Sequence, residues 1–258
     1  MGETTQKELL IIIPAYNEEK NIPAVLKALE KPDIRKIADV LVMNDASSDN
    51  TNWIVKAHGH KLVTHVFNLG YGSALQLGYK YAIRRNYRYV IQMDADGQHD
   101  VCNIPKIYEA LKKPDENGRC PDIVLASRFL EESSNYPISC ARRFAYAFYR
   151  MLVKLGTGRT ISDPTTGLQG LSREAFLYYS KYNHFDDRYP DANMIMQMLL
   201  LGFQVREIPA VMHSRISGKS MHSGIRPIFY MFRMVFSIMA VWMRVKVLKL
   251  EKGNCEGT

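Results

Sequence analysis

The chain has 258 residues, which is enough for one α/β domain of ordinary to large size with a small appendage. Apolar residues make up 47% and charged residues 23%, a balance that is typical of a packed globular protein and excludes extended disorder away from the ends. The net charge of +8 favours an anionic partner such as a nucleotide, a phospholipid or a nucleic acid. The first ten residues lack an apolar core, so we expect no secretory signal, and the four cysteines form no CxxC pair, which favours reduced thiols in the cytosol.

Short apolar segments alternate with helical patterns over the first 110 residues. Strands are predicted at residues 9–13, 39–43, 61–67 and 89–93, and the helices between them at 21–30, 51–57 and 73–84. This alternation predicts a doubly wound, mainly parallel sheet flanked by helices. Every polar motif follows the C-terminal end of a strand, where open α/β sheets bind their ligands.

The second half of the chain continues with less regular elements. Strands are predicted at 122–126 and 205–211, and helices at 142–155, 172–180 and 193–201. No internal repeat or low-complexity linker interrupts the chain. We therefore predict one catalytic domain over residues 1–223, followed by a separate C-terminal segment over residues 224–258.

The C-terminal segment contains a long apolar stretch at residues 227–250 that basic residues interrupt. A membrane-spanning helix needs about twenty apolar residues, and Arg233 would lie too deep in a bilayer. The pattern favours an amphipathic helix in the membrane interface, although packing on the domain itself is an alternative. The expected lipid-facing side chains are Phe229, Met231, Phe232, Met234, Val235, Phe236, Ile238, Met239 and Trp242.

The strongest motif is DADGQH, directly after the apolar strand at residues 89–93. It places two carboxylates, Asp94 and Asp96, two residues apart, and Gln98 adds an amide oxygen. Such oxygen ligands suit Mg²⁺ or Mn²⁺, and a divalent cation here would stabilise a leaving diphosphate. A strand-end turn capped by Asp is the alternative, and the motif alone does not decide between them.

Three further motifs, PAYNE, NDASSD and NLGYGSA, follow the first three strands. Tyr16 is suited to stacking on a base, Glu18 to accepting hydrogen bonds from a base or ribose, and Asp45 to accepting from a ring N–H. Taken alone, helix capping explains the first two motifs better, and a tight turn explains the third. A Rossmann dinucleotide site is excluded, because its glycines would have to follow the first strand.

In combination the segments IIIPAYNEEKNI, VMNDASSDNT, NLGYGSALQLGYKYA and QMDADGQHD resemble the family 2 glycosyltransferases, which have the GT-A fold. Within that family the resemblance is to dolichol-phosphate mannose synthases and polyprenyl-phosphate glycosyltransferases, and it covers residues 8–220. It implies that the donor nucleotide is bound by Pro14, Ala15, Tyr16, Glu18, Asp45 and Asp94. It implies that Mg²⁺ or Mn²⁺ is held by Asp94, Asp96 and Gln98, with Asp96 also catalytic. Asn44 stands where the family often has Asp, so the base stays open.

Downstream matches to the family are looser and lie in ASR, RR, DPTTG and RISGKS. Arginine binds phosphate through paired N–H groups and lysine adds a point charge. The resemblance therefore implies contacts to phosphate or acceptor by Arg128, Arg142, Arg215 and Lys219. Each of these residues taken singly is better explained as a solvated surface charge.

Asp191 lies in YPDAN, where relatives often carry Pro-Glu-Pro-Glu. It is the candidate general base if the acceptor is a hydroxyl, whereas a phosphate acceptor is already ionised and needs none. Asn193 replaces the second Glu of the family pattern, which weakens the case for a base. Capping of the following helix by Asp191 is an equal alternative.

The predicted function is inverting, metal-dependent transfer of a single sugar from a nucleotide-diphosphate sugar to a lipid-linked acceptor, with polyprenyl phosphate preferred. The chain lacks the Gln-x-x-Arg-Trp motif of processive synthases. Alternatives are a transferase acting on a hydroxyl of a cell-envelope glycan precursor and an inactive scaffold for a membrane partner. Nucleic acid is not an expected partner, because the basic residues are scattered and no RRM, KH or helix-turn-helix signature is present. We expect a cytoplasmic protein, peripheral on the inner face of the membrane, with a small membrane protein as a further candidate partner.

Overall fold

The computed structural model describes residues 7–133, 140–213 and 226–249. Seven strands form one sheet in the order β3-β2-β1-β4-β6-β5-β7. All neighbouring pairs are parallel except those of β6, which runs antiparallel to β4 and β5. The predicted α/β class with a mainly parallel sheet is confirmed. The strands are β1 Leu9–Ala15, β2 Ala38–Asn44, β3 Lys61–Thr64, β4 Tyr89–Gln92, β5 Ile123–Ser127, β6 Gln169–Ser172 and β7 Val205–Pro209.

Helices cover both faces of the sheet. They are α1 Ile22–Leu29, α2 Pro32–Ile37, α3 Thr51–Ala57, α4 Tyr71–Arg84, α5 Asn103–Lys112, α6 Cys140–Thr157, α7 Arg173–Ser180, α8 Ala192–Leu200 and α9 Arg226–Lys246. In the central strand β1, Leu10 and Ile12 belong to one core cluster, and Leu9, Ile11 and Ile13 belong to the other. Because both faces of β1 are buried, its sequence is an unbroken apolar run.

Three strands are shorter than the sequence predicted, although β4 ends only one residue early, at Gln92. β3 ends at Thr64 instead of residue 67 because it lies at the sheet edge and pairs only with β2, so its apolar continuation has no partner. β7 ends at Pro209 instead of residue 211. β6, α2 and α5 were not predicted. β6 and α2 are short and carry no clear apolar period, whereas α5 buries Ile104, Ile107 and Leu111 at helical spacing and was missed.

The C-terminal helix α9 packs mainly on α8. Its residues Met234, Ile238 and Val241 are almost completely buried, so Met234 and Ile238 face the protein and the expectation that they face lipid is wrong. The opposite side of α9 exposes large apolar side chains: Phe232, Phe236, Met239, Trp242 and Met243. Among the described residues, no helix is long and apolar enough to cross a membrane.

Candidate active site

The motifs that follow β1 and β2 meet because these parallel strands are neighbours. The amide of Asn17 donates to Ser47 Oγ at 3.0 Å, and the amide of Ser48 donates to Asn17 Oδ1 at 2.8 Å. The amide of Glu18 donates to Thr51 Oγ1 at 2.9 Å. These bonds fix the PAYNE loop, and they leave the Tyr16 side chain half exposed, as stacking on a base would require.

The Asp45 carboxylate is buried and fully engaged with the loop that follows β3. One oxygen accepts from Leu69 N at 2.9 Å and contacts His65 Nδ1 at 2.7 Å, and the other accepts from Gly70 N at 2.8 Å. Gly70 has φ +100°, a conformation that favours glycine. Asp45 therefore orders the loop that leads into α4, and direct nucleotide binding by its carboxylate stays a prediction.

Asp94 follows β4 and is held from two sides. Tyr71 Oη, at the first residue of α4, donates to Asp94 Oδ1 at 2.9 Å, and His99 Nε2 lies 3.3 Å from Asp94 Oδ2. Burial by itself raises the pKa of Asp94, but the hydrogen bond and charge of His99 and the hydrogen bond of Tyr71 outweigh it and lower that pKa. Asp94 is therefore an oriented carboxylate that stays ionised at neutral pH.

The DPTTG turn approaches Asp94 so closely that it requires glycine. A Cβ atom on Gly167 would lie 2.4 Å from Asp94 Oδ2. The Gly167 carbonyl also accepts from Gln92 Nε2 at 3.3 Å, next to the end of β4. The glycine of the DPTTG motif thus makes room for the carboxylate.

Asp96 and Gln98 complete the DADGQH turn. The amide of Gln98 donates to Asp96 Oδ1 at 3.0 Å, and Gly97 between them has φ +76°. No group of three or more His, Cys, Asp or Glu side chains within the described part of the chain is arranged to hold a metal ion. Two carboxylates and an amide oxygen nevertheless fit Mg²⁺ or Mn²⁺, which take oxygen ligands and leave positions for diphosphate and water. Metal binding by Asp94, Asp96 and Gln98 thus stays a prediction, and the oxygen atoms of these side chains are suitable ligands for it.

Arg128, after β5, forms a two-pronged ion pair with the buried Asp163 of the DPTTG motif. Nε donates to Oδ2 and Nη2 to Oδ1, both at 2.7 Å, and Nη2 also donates to Thr165 Oγ1 at 2.9 Å. Burial lowers the pKa of Arg128, but Asp163 outweighs it and raises that pKa above its usual value. Arg128, the predicted phosphate ligand, is therefore already paired with Asp163. The Asp163 carboxylate partly compensates the positive charge that Arg128 would offer to an acceptor.

Asp191 lies at the N-terminal boundary of α8 but makes no side-chain capping hydrogen bond. Its charge helps to raise the pKa values of Tyr71 and Arg128, although burial dominates for Tyr71 and Asp163 for Arg128. Asp191 thus lies close enough to Tyr71 and Arg128 for its charge to act on both. Its role as a base stays a prediction.

Three predicted residues cannot be placed in this region. Arg215 and Lys219 lie outside the described residues, and Arg142 lies in α6 at a position where only the backbone is described.

Tyr71, His99 and Asp163 were assigned no role from the sequence, although each lies within a motif that the resemblance marked. Their roles depend on contacts between motifs, which spacing along the chain does not reveal.

A seven-stranded α/β sheet with one antiparallel strand and a carboxylate pair after its fourth strand defines the GT-A class of nucleotide-sugar transferases. The family model for glycosyl transferase family 2 matches residues 10–179, and the chain belongs to this family. It is a glycosyltransferase, and the predicted resemblance is confirmed.

Relatives and a solved structure support this assignment. The chain is 28% identical over 229 residues to undecaprenyl-phosphate mannosyltransferase of Micrococcus luteus, covering 84% of this chain and 88% of the relative. It is 27% identical over 248 residues to dolichol-phosphate mannosyltransferase of Pyrococcus furiosus, covering 89% and 63%. Its fold is similar to glucosyl-3-phosphoglycerate synthase from Mycobacterium tuberculosis, solved with Mn²⁺, UDP-glucose and phosphoglyceric acid. The TM-score is 0.62 at 18% identity, over 92% of this chain and 80% of that one, a likeness that shows the fold alone.

We expect Tyr71→Phe to weaken metal-dependent donor binding by roughly 10-fold without unfolding the protein. The change removes only the hydroxyl that orients Asp94, and partners of metal ligands typically contribute 10- to 100-fold to metal affinity. Titration of Mn²⁺ in the presence of a nucleoside diphosphate measures the effect. Tyr182→Phe, at a side chain that is 92% exposed, is the matched control. Equal metal affinity in both variants would contradict the role of Tyr71.

Proposed function

We propose that the chain transfers one sugar from a nucleoside-diphosphate sugar to a lipid-linked acceptor, preferably polyprenyl phosphate, with inversion and with Mg²⁺ or Mn²⁺ as cofactor. The observation that carries this proposal is the close approach of the DPTTG turn to Asp94 at Gly167. Tyr71 and His99 hold Asp94, and the same turn supplies Asp163, which pairs with Arg128. The Asp94 carboxylate would meet an anionic donor through a bound cation, and the Arg128 guanidinium offers positive charge to an anionic acceptor. The names of the relatives from Micrococcus luteus and Pyrococcus furiosus support a mannosyl or similar transfer to a polyprenyl or dolichol phosphate.

The donor side lies along the ends of β1, β2 and β4. Tyr16 offers an exposed ring for the base, and Glu18 stands beside it in the same ordered loop. Asp94, Asp96 and Gln98 are suited to hold the cation, which when bound neutralises the diphosphate as it leaves. The protein's own contribution is to fix these oxygens before the donor arrives, and Tyr71 and His99 do this for Asp94.

In the proposed reaction an acceptor oxygen attacks the anomeric carbon from the face opposite the diphosphate. The new C–O bond forms as the bond to the diphosphate oxygen breaks, so one displacement inverts the configuration. A phosphate acceptor supplies an ionised oxygen and needs no base. A hydroxyl acceptor must lose a proton, and Asp191 is the residue that we propose as its base.

The position of Asp191 favours a second candidate function, transfer to a hydroxyl of a glycan precursor. The two functions are separated by following release of nucleoside diphosphate from a panel of nucleotide sugars, with polyprenyl phosphate or polyprenol as acceptor, with and without EDTA. Metal-dependent release with polyprenyl phosphate alone supports the main proposal. Release with polyprenol alone would overturn it in favour of the hydroxyl function, and no release with any donor would refute both.

A position on the inner membrane surface is part of the proposal. Neither α6 nor α9 contains an acidic residue. Both helices expose apolar side chains: Phe144, Met151 and Leu155 on α6, and Phe232, Phe236, Met239 and Met243 on α9. Basic residues on the same helices suit anionic headgroups, at about 1 kcal/mol each near such a surface. The predicted division of the chain at residue 223 stays a proposal. In this proposal one face of α9 packs on the catalytic domain and the opposite face contacts lipid.

We expect Phe236→Asp combined with Met239→Asp to abolish binding to vesicles of anionic phospholipid while the protein stays folded. Both side chains lie on the exposed side of α9, so the substitutions leave its packing on α8 intact. Co-sedimentation with vesicles measures binding. Trp53→Asp, which removes a 71% exposed ring far from α9 in sequence, is the control. If the double variant sediments like the wild type, α9 is not the docking helix.

A further inference from the structure

The C-terminal helix α9 holds the segment of residues 183–191, which ends at Asp191. Arg244 Nη2 donates to the carbonyl of Asn183 at 3.1 Å. The guanidinium of Arg233 lies 4.8 Å from the ring centroid of Tyr189, as a cation–π contact. Both arginines therefore fasten this segment to α9.

A third link runs through Asn193, a buried amide in the first turn of α8. Its Nδ2 donates to Ser237 Oγ of α9 at 2.8 Å and to Asp186 Oδ2 at 3.1 Å. Its Oδ1 accepts from the amides of Asp191 at 2.8 Å and Met194 at 2.9 Å. One side chain that is 1% exposed thus joins α9, the 183–191 segment and the backbone of Asp191.

The same segment also fixes the donor side. A Cβ atom on Gly72 would lie 1.9 Å from the carbonyl oxygen of Asp186, so the segment and the first turn of α4 are in tight contact. That turn begins at Tyr71, whose hydroxyl donates to Asp94. Displacement of the 183–191 segment would therefore shift both Asp191 and the first turn of α4, which carries Tyr71.

We infer that Asn193 is a positioning residue, which sets the backbone of Asp191 and makes that position depend on α9 through Ser237. The inference rests on the proposed function for its activity readout, since it concerns the acceptor side of that site. It explains why a neutral amide suits position 193. An amide donates to Ser237 and Asp186 and accepts from Asp191 at once, whereas an ionised carboxylate only accepts. A misplacement of about 1 Å at such a position costs roughly 100-fold in rate.

The test compares Ser237→Ala with Ser237→Thr, which retains the hydroxyl, and with Ser180→Ala as the matched control. Ser180 is a buried serine whose hydroxyl donates to Leu177 O within α7 and makes no hydrogen bond to Asn193. Asn193→Ala serves as a second variant if it folds. Full-length protein is used for two readouts: kcat and donor KM, and hydrogen exchange of the Asp191 amide.

We expect Ser237→Ala to lower kcat about 10-fold with donor KM within about twofold, and to speed exchange at Asp191, because a loosened acceptor side slows the chemical step more than donor binding. Ser237→Thr should restore both values, and Ser180→Ala should change neither. Unchanged exchange at Asp191 in Ser237→Ala overturns the inference whatever the activity. If the wild type has no transferase activity, the proposed function is refuted instead. Hydrogen exchange at the Asp191 amide then still tests whether Ser237 acts on Asp191 through Asn193.

Discussion

Asp96→Asn should reduce sugar transfer by roughly two to three orders of magnitude while leaving the fold intact. Loss of one carboxylate from the DADGQH turn weakens the hold on a divalent cation, whose stabilisation of a leaving diphosphate is worth several kcal/mol. The substitution is nearly isosteric, and Asp96 is a partly exposed turn residue that contributes little to the core. Initial rates at saturating Mn²⁺ measure the loss, and circular dichroism checks the fold.

Asp33→Asn is the matched control for Asp96→Asn. Asp33 is an exposed carboxylate in the first turn of α2, remote from the motifs at the strand ends. The Asp33→Asn substitution removes the same charge from the protein and should leave the rate of sugar transfer unchanged. If Asp96→Asn transfers sugar at the rate of Asp33→Asn with metal present, Asp96 does not act on the donor.

Asp163→Asn should destabilise the protein by about 3–5 kcal/mol, the typical loss when one partner of a buried ion pair is removed. Asp163 is completely buried and accepts from Arg128 Nε and Nη2, and the Arg128 side chain is only 13% exposed. Arg128 would stay buried without its counter-charge, and the DPTTG turn would lose its anchor. The midpoint of urea unfolding measures the effect.

The control for Asp163→Asn is Glu8→Gln, which breaks the pair between Glu8 and Arg88. That pair has a similar distance of 2.8 Å but lies in solvent, with side chains 44% and 70% exposed. Exposed pairs contribute little to stability, so the unfolding midpoint should barely move. Equal midpoints for Asp163→Asn and Glu8→Gln would show that the Arg128–Asp163 pair is not a stabilising feature of the site.

The strands were predictable where burial on both sheet faces leaves an apolar run, as in LLIII of β1. β6 was not, because its sequence QGLS is short and its position depends on antiparallel pairing with β4 and β5 across long separations. In α9 the long apolar stretch with interspersed basic residues predicts a helix, but apolar side chains lie on both of its sides. That pattern does not decide that Met234 faces α8 while Phe232 faces outward.

The motifs marked the strand ends that form the candidate site, but the contacts between the motifs were not predictable. Nucleotide binding by Asp45 stays a prediction, and the sequence did not reveal that its oxygens contact His65 and the loop amides of Leu69 and Gly70. Phosphate binding by Arg128 likewise stays a prediction, and the sequence did not reveal its ion pair with Asp163, 35 residues away in the chain. Such pairings are set by which strand ends become neighbours, and no local pattern encodes that order.

The central claim, transfer of one sugar to polyprenyl phosphate, is tested most directly by the intact mass of the lipid product. The full-length protein is incubated with Mn²⁺, a nucleoside-diphosphate hexose and polyprenyl phosphate, and the lipid is extracted and weighed by mass spectrometry. We predict a lipid that has gained one hexose residue and no more, formed by the wild type and absent with Asp96→Asn. A lipid of unchanged mass with every donor, or one that carries a series of added hexoses, would contradict the account.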